Sequence, residues 1–333
     1  MSSVIGTVFK GSASDGIVEA HHEFAPVKRT QVLVRITHSG VCGTDEHYKH
    51  ADMVLGHEGV GIVDQIGEGV SSLAVGDVVG WGYLQNSCGK CEQCLNGDDN
   101  YCREPGNEMF GFANFHQGSF GTYAVWEESY LFKIPASIPP EYAAPLMCGG
   151  ATVFEIIDKY IKPTSRVGVV ALGGLGHLAV QFLAALGADV VVFSSTDAKR
   201  DEALSLGAKE FHATRGLSKL DGVKPMDHLI VTTSFIPDWS LYFSALKPRG
   251  SIYPLTVGSD DLRFPNMTLI ERGIRVQGSI VASRASHRRM IEFAARNGIK
   301  PIIEKFPMSK AGVEQSMQKL REGKVRYRAV LVV

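Results

Sequence analysis

Charge imbalance is the first thing this chain lacks. Its 34 Lys+Arg stand against 35 Asp+Glu, a formal net charge of −1. That removes the broad positive field by which nucleic-acid-binding proteins gather phosphates, so no nucleic-acid partner is expected. Two local basic runs, "RASHRR" (284–289) and "KVRYR" (324–328), read as solvated surface. Long hydrophobic runs are also missing. The apolar stretches are strand-sized and broken by glycine, and none approaches the ~20 residues of a membrane span. The opening "MSSVIGTVFKGSASDG" has no basic segment followed by an apolar core, so no secretory signal is expected and the chain reads as cytoplasmic. Internal repeats and low-complexity tracts are absent. Cysteine is scarce, six in all, yet four fall between positions 88 and 102. In a reducing compartment such crowding points to metal rather than to disulfides.

What is present is ordinary for a soluble protein: 44% hydrophobic and 21% charged over 333 residues, enough chain for two domains. Residues 1–135 read mostly as strands and loops, with β-branched runs such as "QVLVRITHSGV", "GVGIVDQIGEGV" and "GDVVGW". "KIPASIPPEYAAPL" (133–146), rich in Pro and Ala, suits a connection between domains. After Pro163 strands and helices alternate. "RVGVVAL" (166–172) reads as a strand buried on both faces, and "GHLAVQFLAALG" (176–187) as a helix ending in Gly. "ADVVVFSS" (188–195) is a second strand and "DAKRDEALSLGA" (197–208) a second helix with Asp197 as N-cap. "DHLIVTT" (227–233), "GSIYPLTV" (250–257) and "IRVQGSIVA" (274–282) follow as strands, and "YRAVLVV" closes the chain as another. The alternation predicts an α/β fold with a doubly wound parallel sheet.

The clustered cysteines, Cys88, Cys91, Cys94 and Cys102, have the spacing C-x2-C-x2-C-x7-C. Four thiolates so spaced can close a tetrahedron around Zn²⁺ at about 2.3 Å, leaving no open position, so the site is structural. The rival is an iron–sulfur cluster, but its ferredoxin run is C-x2-C-x2-C-x3-C-P; here the last gap is seven and Glu104 follows. Unpaired thiols remain the third reading. The other two cysteines make a second constellation. Cys42 sits in "VCGTDEH", His57 and Glu58 in "GHEGVG", and Cys148 in "APLMCGG". Singly, each reads as core filler or a satisfied histidine. Together, two thiolates and an imidazole make a three-ligand zinc site with its fourth position open. Asp45 could fix the histidine tautomer. Glu58 is an alternative ligand, an electrostatic partner, or an ordinary structural hydrogen-bonder.

"ALGGLG" (171–176) joins the first predicted strand to its helix. A glycine-rich turn there lets backbone N–H groups and the helix N-terminus meet a pyrophosphate. Ala171 replaces the first glycine of G-x-G-x-x-G, while Gly173, Gly174, Leu175 and Gly176 complete the turn. The next strand ends in Ser194, Ser195 and Thr196, followed by Lys199, where an NAD site would carry Asp or Glu. Hydroxyls and a cation accept a 2′-phosphate, so the expected cofactor is NADP(H). The competing reading is that the hydroxyls only cap the next helix.

From "VCGTDEH" through "GHEGVG", the cysteine lobe, "QGSFGTYAVW", "APLMCGG" and "ALGGLGHLAVQ" to "KVRYRAVLVV", the chain resembles the zinc-dependent medium-chain dehydrogenase/reductase (alcohol dehydrogenase) family, in its cinnamyl-alcohol-dehydrogenase-like NADPH branch. The resemblance implies a discontinuous, mostly β, GroES-like catalytic domain (1–148 and 282–333) around a Rossmann-type cofactor domain (149–281), with the site in the cleft between them. It implies two Zn²⁺ per chain: catalytic at Cys42, His57 and Cys148, with Glu58 beside them, and structural at Cys88, Cys91, Cys94 and Cys102. It assigns Thr44 and His47 to a proton relay, through a cofactor hydroxyl, and suggests a homodimer. The substrates implied are small aldehydes or alcohols. Two segments, between Cys42 and the "GHE" motif and after Cys102, are shorter than in most relatives, from which a more open pocket for bulky or aromatic aldehydes is expected. Trp81, Tyr83, Phe110 and Phe112 lie in segments that could line it or pack in the core. The alternatives are an NAD-linked zinc polyol dehydrogenase, a specialised enal or iminium reductase, and a non-catalytic zinc-stabilised binding protein.

Overall fold

The computed structural model describes residues 2–14, 16–258 and 261–333. Contacts divide it into two compact units, Thr152–Ile280 and the remainder, Met1–Ala151 with Val281–Val333. The expected boundaries at 148/149 and 281/282 therefore move by three residues and by one.

Thr152–Ile280 holds a six-stranded sheet, every neighbouring pair parallel. Its order is Glu210–Ala213, Asp189–Ser194, Arg166–Val170, Met226–Val231, Leu246–Pro254, Arg275–Val276. In chain order that is 3-2-1-4-5-6, so the strand order reverses beside Arg166–Val170, where open α/β sheets bind ligands. Arg166–Val170 is buried along its whole length, and its neighbour Asp189–Ser194 is buried from Val190 to Phe193, which is why both read as largely apolar runs. Phe193, Met226, Leu229, Val231 and Ile252 pack with Trp239, Tyr242 and Phe243. At the N-terminal edge the nearly buried Arg166 pairs with Asp189 and with Glu210 (2.8 Å), strapping three strands together.

Helix Gly176–Leu186 ends where expected, on Gly187 with φ 97°, a left-handed C-cap that costs glycine nothing. Other expectations need correction. The 197–208 segment is a 3₁₀ turn, Asp197–Lys199, and then a short helix, Arg200–Ser205. Its N-cap is Thr196, not Asp197, and neither it nor Lys199, which precedes the α turn, caps through a side chain; the Asp197 carboxylate is taken by Arg200. The 274–282 strand shrinks to Arg275–Val276, an edge position with a single neighbour.

In the other unit a seven-stranded sheet is centred on Gln31–Val41. That strand pairs antiparallel with Gly59–Ile66, Tyr123–Glu127 and Arg328–Val332. The hairpin Val4–Ser12 with Gly16–Phe24 lies outside it in sequence order. The 133–146 connection is not mere linker: it carries helix Pro140–Pro145, and Leu146–Gly150 continues as one π turn. The basic runs are not wholly surface either. Arg328 is 6% exposed, and Ser286 and His287 are buried, whereas Arg288 and Arg289 face solvent.

Candidate metal centre and cofactor turn

The register of the sheet assembles the first cluster. Cys42 follows directly on Gln31–Val41 and opens the short helix Gly43–Tyr48. Glu58 precedes Gly59–Ile66, and its carbonyl accepts from Gly40 N–H on the central strand (3.0 Å). Ala329 pairs with Val41, which brings Arg328 to the same end. Cys148 comes from elsewhere, the π turn, a distortion that often marks a site. One donor atom from each of Cys42, His57, Glu58 and Cys148 lies within 4.8 Å of the others.

Asp45, with no exposed surface, orients this cluster. One of its oxygens accepts from Cys42 N–H (2.8 Å). The other accepts from Gly56 N–H (3.1 Å) and lies 3.0 Å from His57 Nδ1. A carboxylate is an acceptor only, so Nδ1 carries a proton and Nε2 is the nitrogen left to face the two thiols. His57 Nε2 is buried and has no protein partner. Burial works against charging that ring, yet the Asp45 carboxylate and then Cys42 draw its pKa well above the ordinary range. The Cys42 thiol is held well below its usual value, first by the hydrogen bond with Cys148 and then by His57, while Cys148 is pushed up. The spot therefore attracts positive charge, and an imidazole nitrogen facing two thiols is a donor set that fits Zn²⁺.

Glu58 is wholly buried, with one carboxylate oxygen on Arg328 and the other unpartnered. Burial lifts its pKa to about 7 against the pull of Arg328. Gly40 makes room for it: a Cβ there would sit 1.8 Å from Glu58 Oε2. Arg328 was missed from sequence, because its partner is 270 residues away. The available signal was a charged residue heading the fully apolar run "AVLVV".

Thr44 and His47 lie on helix Gly43–Tyr48, three residues apart and so on one side of it. Thr44 Oγ1 is 3.8 Å from Cys42 Sγ, and His47 is exposed. The aromatic candidates separate. Trp81 is core; Tyr83 and Phe110 meet the His57 ring at 5.6 and 4.8 Å; Phe112 is 70% exposed. Tyr48, not singled out from sequence, packs edge-on against Phe110 (5.5 Å) and beside Tyr83. Behind Cys148 a cavity of about 10 Å³, room for one water, touches Gly82, Tyr83, Met147, Arg284 and His287.

The second cluster brings Cys88, Cys91, Cys94 and Cys102 within 4.8 Å of one another. Cys88 Sγ and Cys94 Sγ are 3.9 Å apart, close to the edge of a tetrahedron with bonds of about 2.3 Å. The Lys90 and Cys91 N–H groups point at Cys88 Sγ and pull its pKa down to about 7. The lobe is anchored by Asp99, whose carboxylate accepts from Arg284 Nε (2.5 Å) and Tyr130 OH (3.0 Å).

The turn after Arg166–Val170 has the three spaces a dinucleotide needs. Ala171 adopts φ 73°, the left-handed region where glycine is at home. A Cβ on Gly173 would meet nothing within 4 Å, leaving its backbone open to a pyrophosphate. One on Gly176 would sit 2.0 Å from Ala171 O, so only glycine lets helix and turn pack so closely. Gly174 and Leu175 lie between them, Leu175 at the helix N-cap. Lys199 Nζ donates to Leu172 O in this turn (2.7 Å); Ser194 ends the adjacent strand, and Ser195 and Thr196 follow it. These residues fit an NAD(P) cofactor.

The family description "Alcohol dehydrogenase GroES-like domain" matches residues 28–136, and "Zinc-binding dehydrogenase" matches 174–296. A "Probable cinnamyl alcohol dehydrogenase 8A" of Oryza sativa is 37% identical over 91% of this chain and 88% of its own length. The chain belongs to the zinc-binding medium-chain alcohol dehydrogenase family. "Aldehyde reductase AdhA" of Synechocystis is 35% identical over 90% of each chain. Among solved structures, a Sorghum bicolor cinnamyl alcohol dehydrogenase superposes with TM-score 0.89 at 32% identity, covering 99% of this chain and 98% of its own. A Helicobacter pylori CAD complexed with NADP(H) gives 0.87 at 26%, covering 99% and 98%. As a member of the alcohol dehydrogenase family the chain is an oxidoreductase of the alcohol dehydrogenase and aldehyde reductase class, and its substrates are small-molecule alcohols or aldehydes. Among the described residues no helix is long and apolar enough to cross a membrane.

Proposed function

We propose that this alcohol dehydrogenase is a zinc-dependent, NADPH-linked reductase of bulky or aromatic aldehydes, holding two Zn²⁺ per chain. The observation that carries the zinc is His57 Nε2, buried and unpartnered beside Cys42 and Cys148 while Asp45 holds the other ring nitrogen. Cys42, His57 and Cys148 would hold the catalytic ion, with Glu58 able to approach it, and the four clustered cysteines the structural one. The hydroxyls of Ser194, Ser195 and Thr196 with Lys199 support NADPH, since they offer donors and a cation where a carboxylate would repel a 2′-phosphate. Zinc, when bound, supplies a Lewis acid for the carbonyl oxygen, and the reduced nicotinamide supplies the hydride.

The chain's own residues orient the substrate and move the proton. The half-buried Tyr48 and Tyr83, backed by the buried Phe110, give the centre an aromatic side that favours an aryl or other bulky aldehyde over a short linear one. Thr44 Oγ1, close to Cys42 Sγ, delivers the proton to the product oxygen, and the exposed His47 exchanges it with solvent. Loss of NADPH absorbance across a panel of aromatic and short aliphatic aldehydes tests this reading. Faster turnover of the aromatic members, with NADPH well ahead of NADH, is expected; turnover confined to short linear aldehydes, or an NADH preference, would overturn it. In the same assay Thr44→Ala loses ~100-fold or more in kcat with zinc content unchanged. Unaltered turnover removes Thr44 from the proton path.

A further inference from the structure

A 2′-phosphate carries a charge near −2, and Lys199 supplies only one positive charge to meet it. The next cation along the chain is already committed. Arg200 closes on Asp197 through Nε (3.0 Å) and Nη2 (2.5 Å), donates from Nη1 to Phe211 O (2.9 Å), and lies over the Phe211 ring at 5.0 Å. The neighbouring strand offers another. Glu210–Ala213 runs parallel to Asp189–Ser194 with Ala213 opposite Ser194. The hydrogen bonding continues past both strand ends: Thr214 N–H donates to Ser194 O (2.8 Å), the Thr214 hydroxyl to the same oxygen (3.1 Å), and Arg215 N–H to Ser195 O (3.1 Å). Arg215 is thereby pinned, backbone to backbone, beside the exposed Ser195. Its own side chain is exposed and, among the described residues, has no ion pair.

We propose that Arg215 is a specificity-determining residue: its guanidinium pairs with the cofactor 2′-phosphate from the neighbouring strand, sharing that dianion with Lys199. The inference rests on the NADPH reading and extends it to a residue outside the serine–threonine strand end. Arginine suits the role because its planar fork can meet two phosphate oxygens at once. The carboxylate closest in sequence on the serine side, Asp197, is neutralised by Arg200 and so does not compete for Arg215.

Isothermal titration of the purified zinc-loaded protein with adenosine 2′,5′-bisphosphate and with 5′-AMP separates the possibilities without any turnover. The unaltered chain should bind the bisphosphate more tightly. Arg215→Ala should weaken the bisphosphate by about tenfold or more, the worth of a charge-assisted hydrogen bond, and leave 5′-AMP within about twofold. Lys199→Ala should show the same pattern, and Arg215→Lys should recover part of the loss. Bisphosphate affinity unchanged in Arg215→Ala, with the unaltered chain still discriminating, overturns the role of Arg215 and leaves the NADPH reading standing. An equal loss for both ligands also overturns it, since the guanidinium would then serve the adenosine they share. If the unaltered chain shows no preference for the bisphosphate, the NADPH reading and this extension fall together.

Discussion

Asp45 satisfies three donors with two oxygens, and those bonds decide which nitrogen of His57 faces the thiols. The role of Asp45 was legible in the sequence as a carboxylate that could fix the tautomer of a ligating histidine, a common arrangement at metal sites. The Glu58–Arg328 pair was not legible, because only strand pairing across the whole chain brings its members together. His287 was hidden for a related reason. It sits in a basic run that reads as solvated, yet helix Arg284–Asn297 turns it inward, 5% exposed, with its ring stacked on Phe132 at 4.2 Å and Nε2 unpartnered. Burial alone lowers its pKa to about 3. A folded pKa below the unfolded value of about 6.5 means the unfolded chain binds the extra proton between those limits. Stability from this group is thus complete above pH 6.5 and drains away as pH falls toward 3, by about 1.4 kcal/mol per pH unit. Urea denaturation at several pH values should show His287→Leu with a slope shallower by about one proton across that window. Parallel slopes for the two proteins would contradict a buried, neutral His287.

The strand–turn–helix element from Arg166 to Leu186 was the most legible part of the fold. Its apolar run, glycines and helical periodicity agree, and the element forms with its helix starting at Gly176 and its C-cap on Gly187. The following helix was less legible, because "DAKRDEALSLGA" has helix-forming composition but spends Asp197 on Arg200 and begins as a 3₁₀ turn. Within the turn, Ala171 departs from what its φ of 73° favours. A left-handed alanine costs roughly 1–2 kcal/mol, and replacing it by glycine gives part of that back through a freer unfolded chain. Ala171→Gly should therefore raise stability by roughly 0.5–1 kcal/mol, read as a higher urea midpoint with unchanged slope. A lower midpoint would mean that the alanine methyl makes contacts worth more than the strain. The π turn that carries Cys148 could not be read from "APLMCGG", because proline and two glycines in a row argue for a loop.

For the whole molecule, composition and alternation were enough to give the class, an α/β chain with a parallel sheet and a mostly β partner; cysteine spacing pointed to the Cys88–Cys102 group, and the combination of donor types in distant motifs pointed to Cys42, His57, Glu58 and Cys148. The edges between units were less legible, because the Pro- and Ala-rich 133–146 segment lies wholly before the division, partly as helix Pro140–Pro145, and helix Ala151–Tyr160 follows directly on the π turn. The two clusters differ in what they leave open. On the proposed reading, four thiolates would close a tetrahedron around one ion, whereas Cys42, His57 and Cys148 would leave one corner of the other for substrate. Zinc stoichiometry by plasma mass spectrometry on the unaltered chain, Cys148→Ser and Cys102→Ser tests that difference most directly. The account predicts two Zn²⁺ per unaltered chain, with Cys148→Ser keeping the structural ion and losing most of the other together with activity. One Zn²⁺ per unaltered chain, retained in Cys148→Ser and lost in Cys102→Ser, would contradict it.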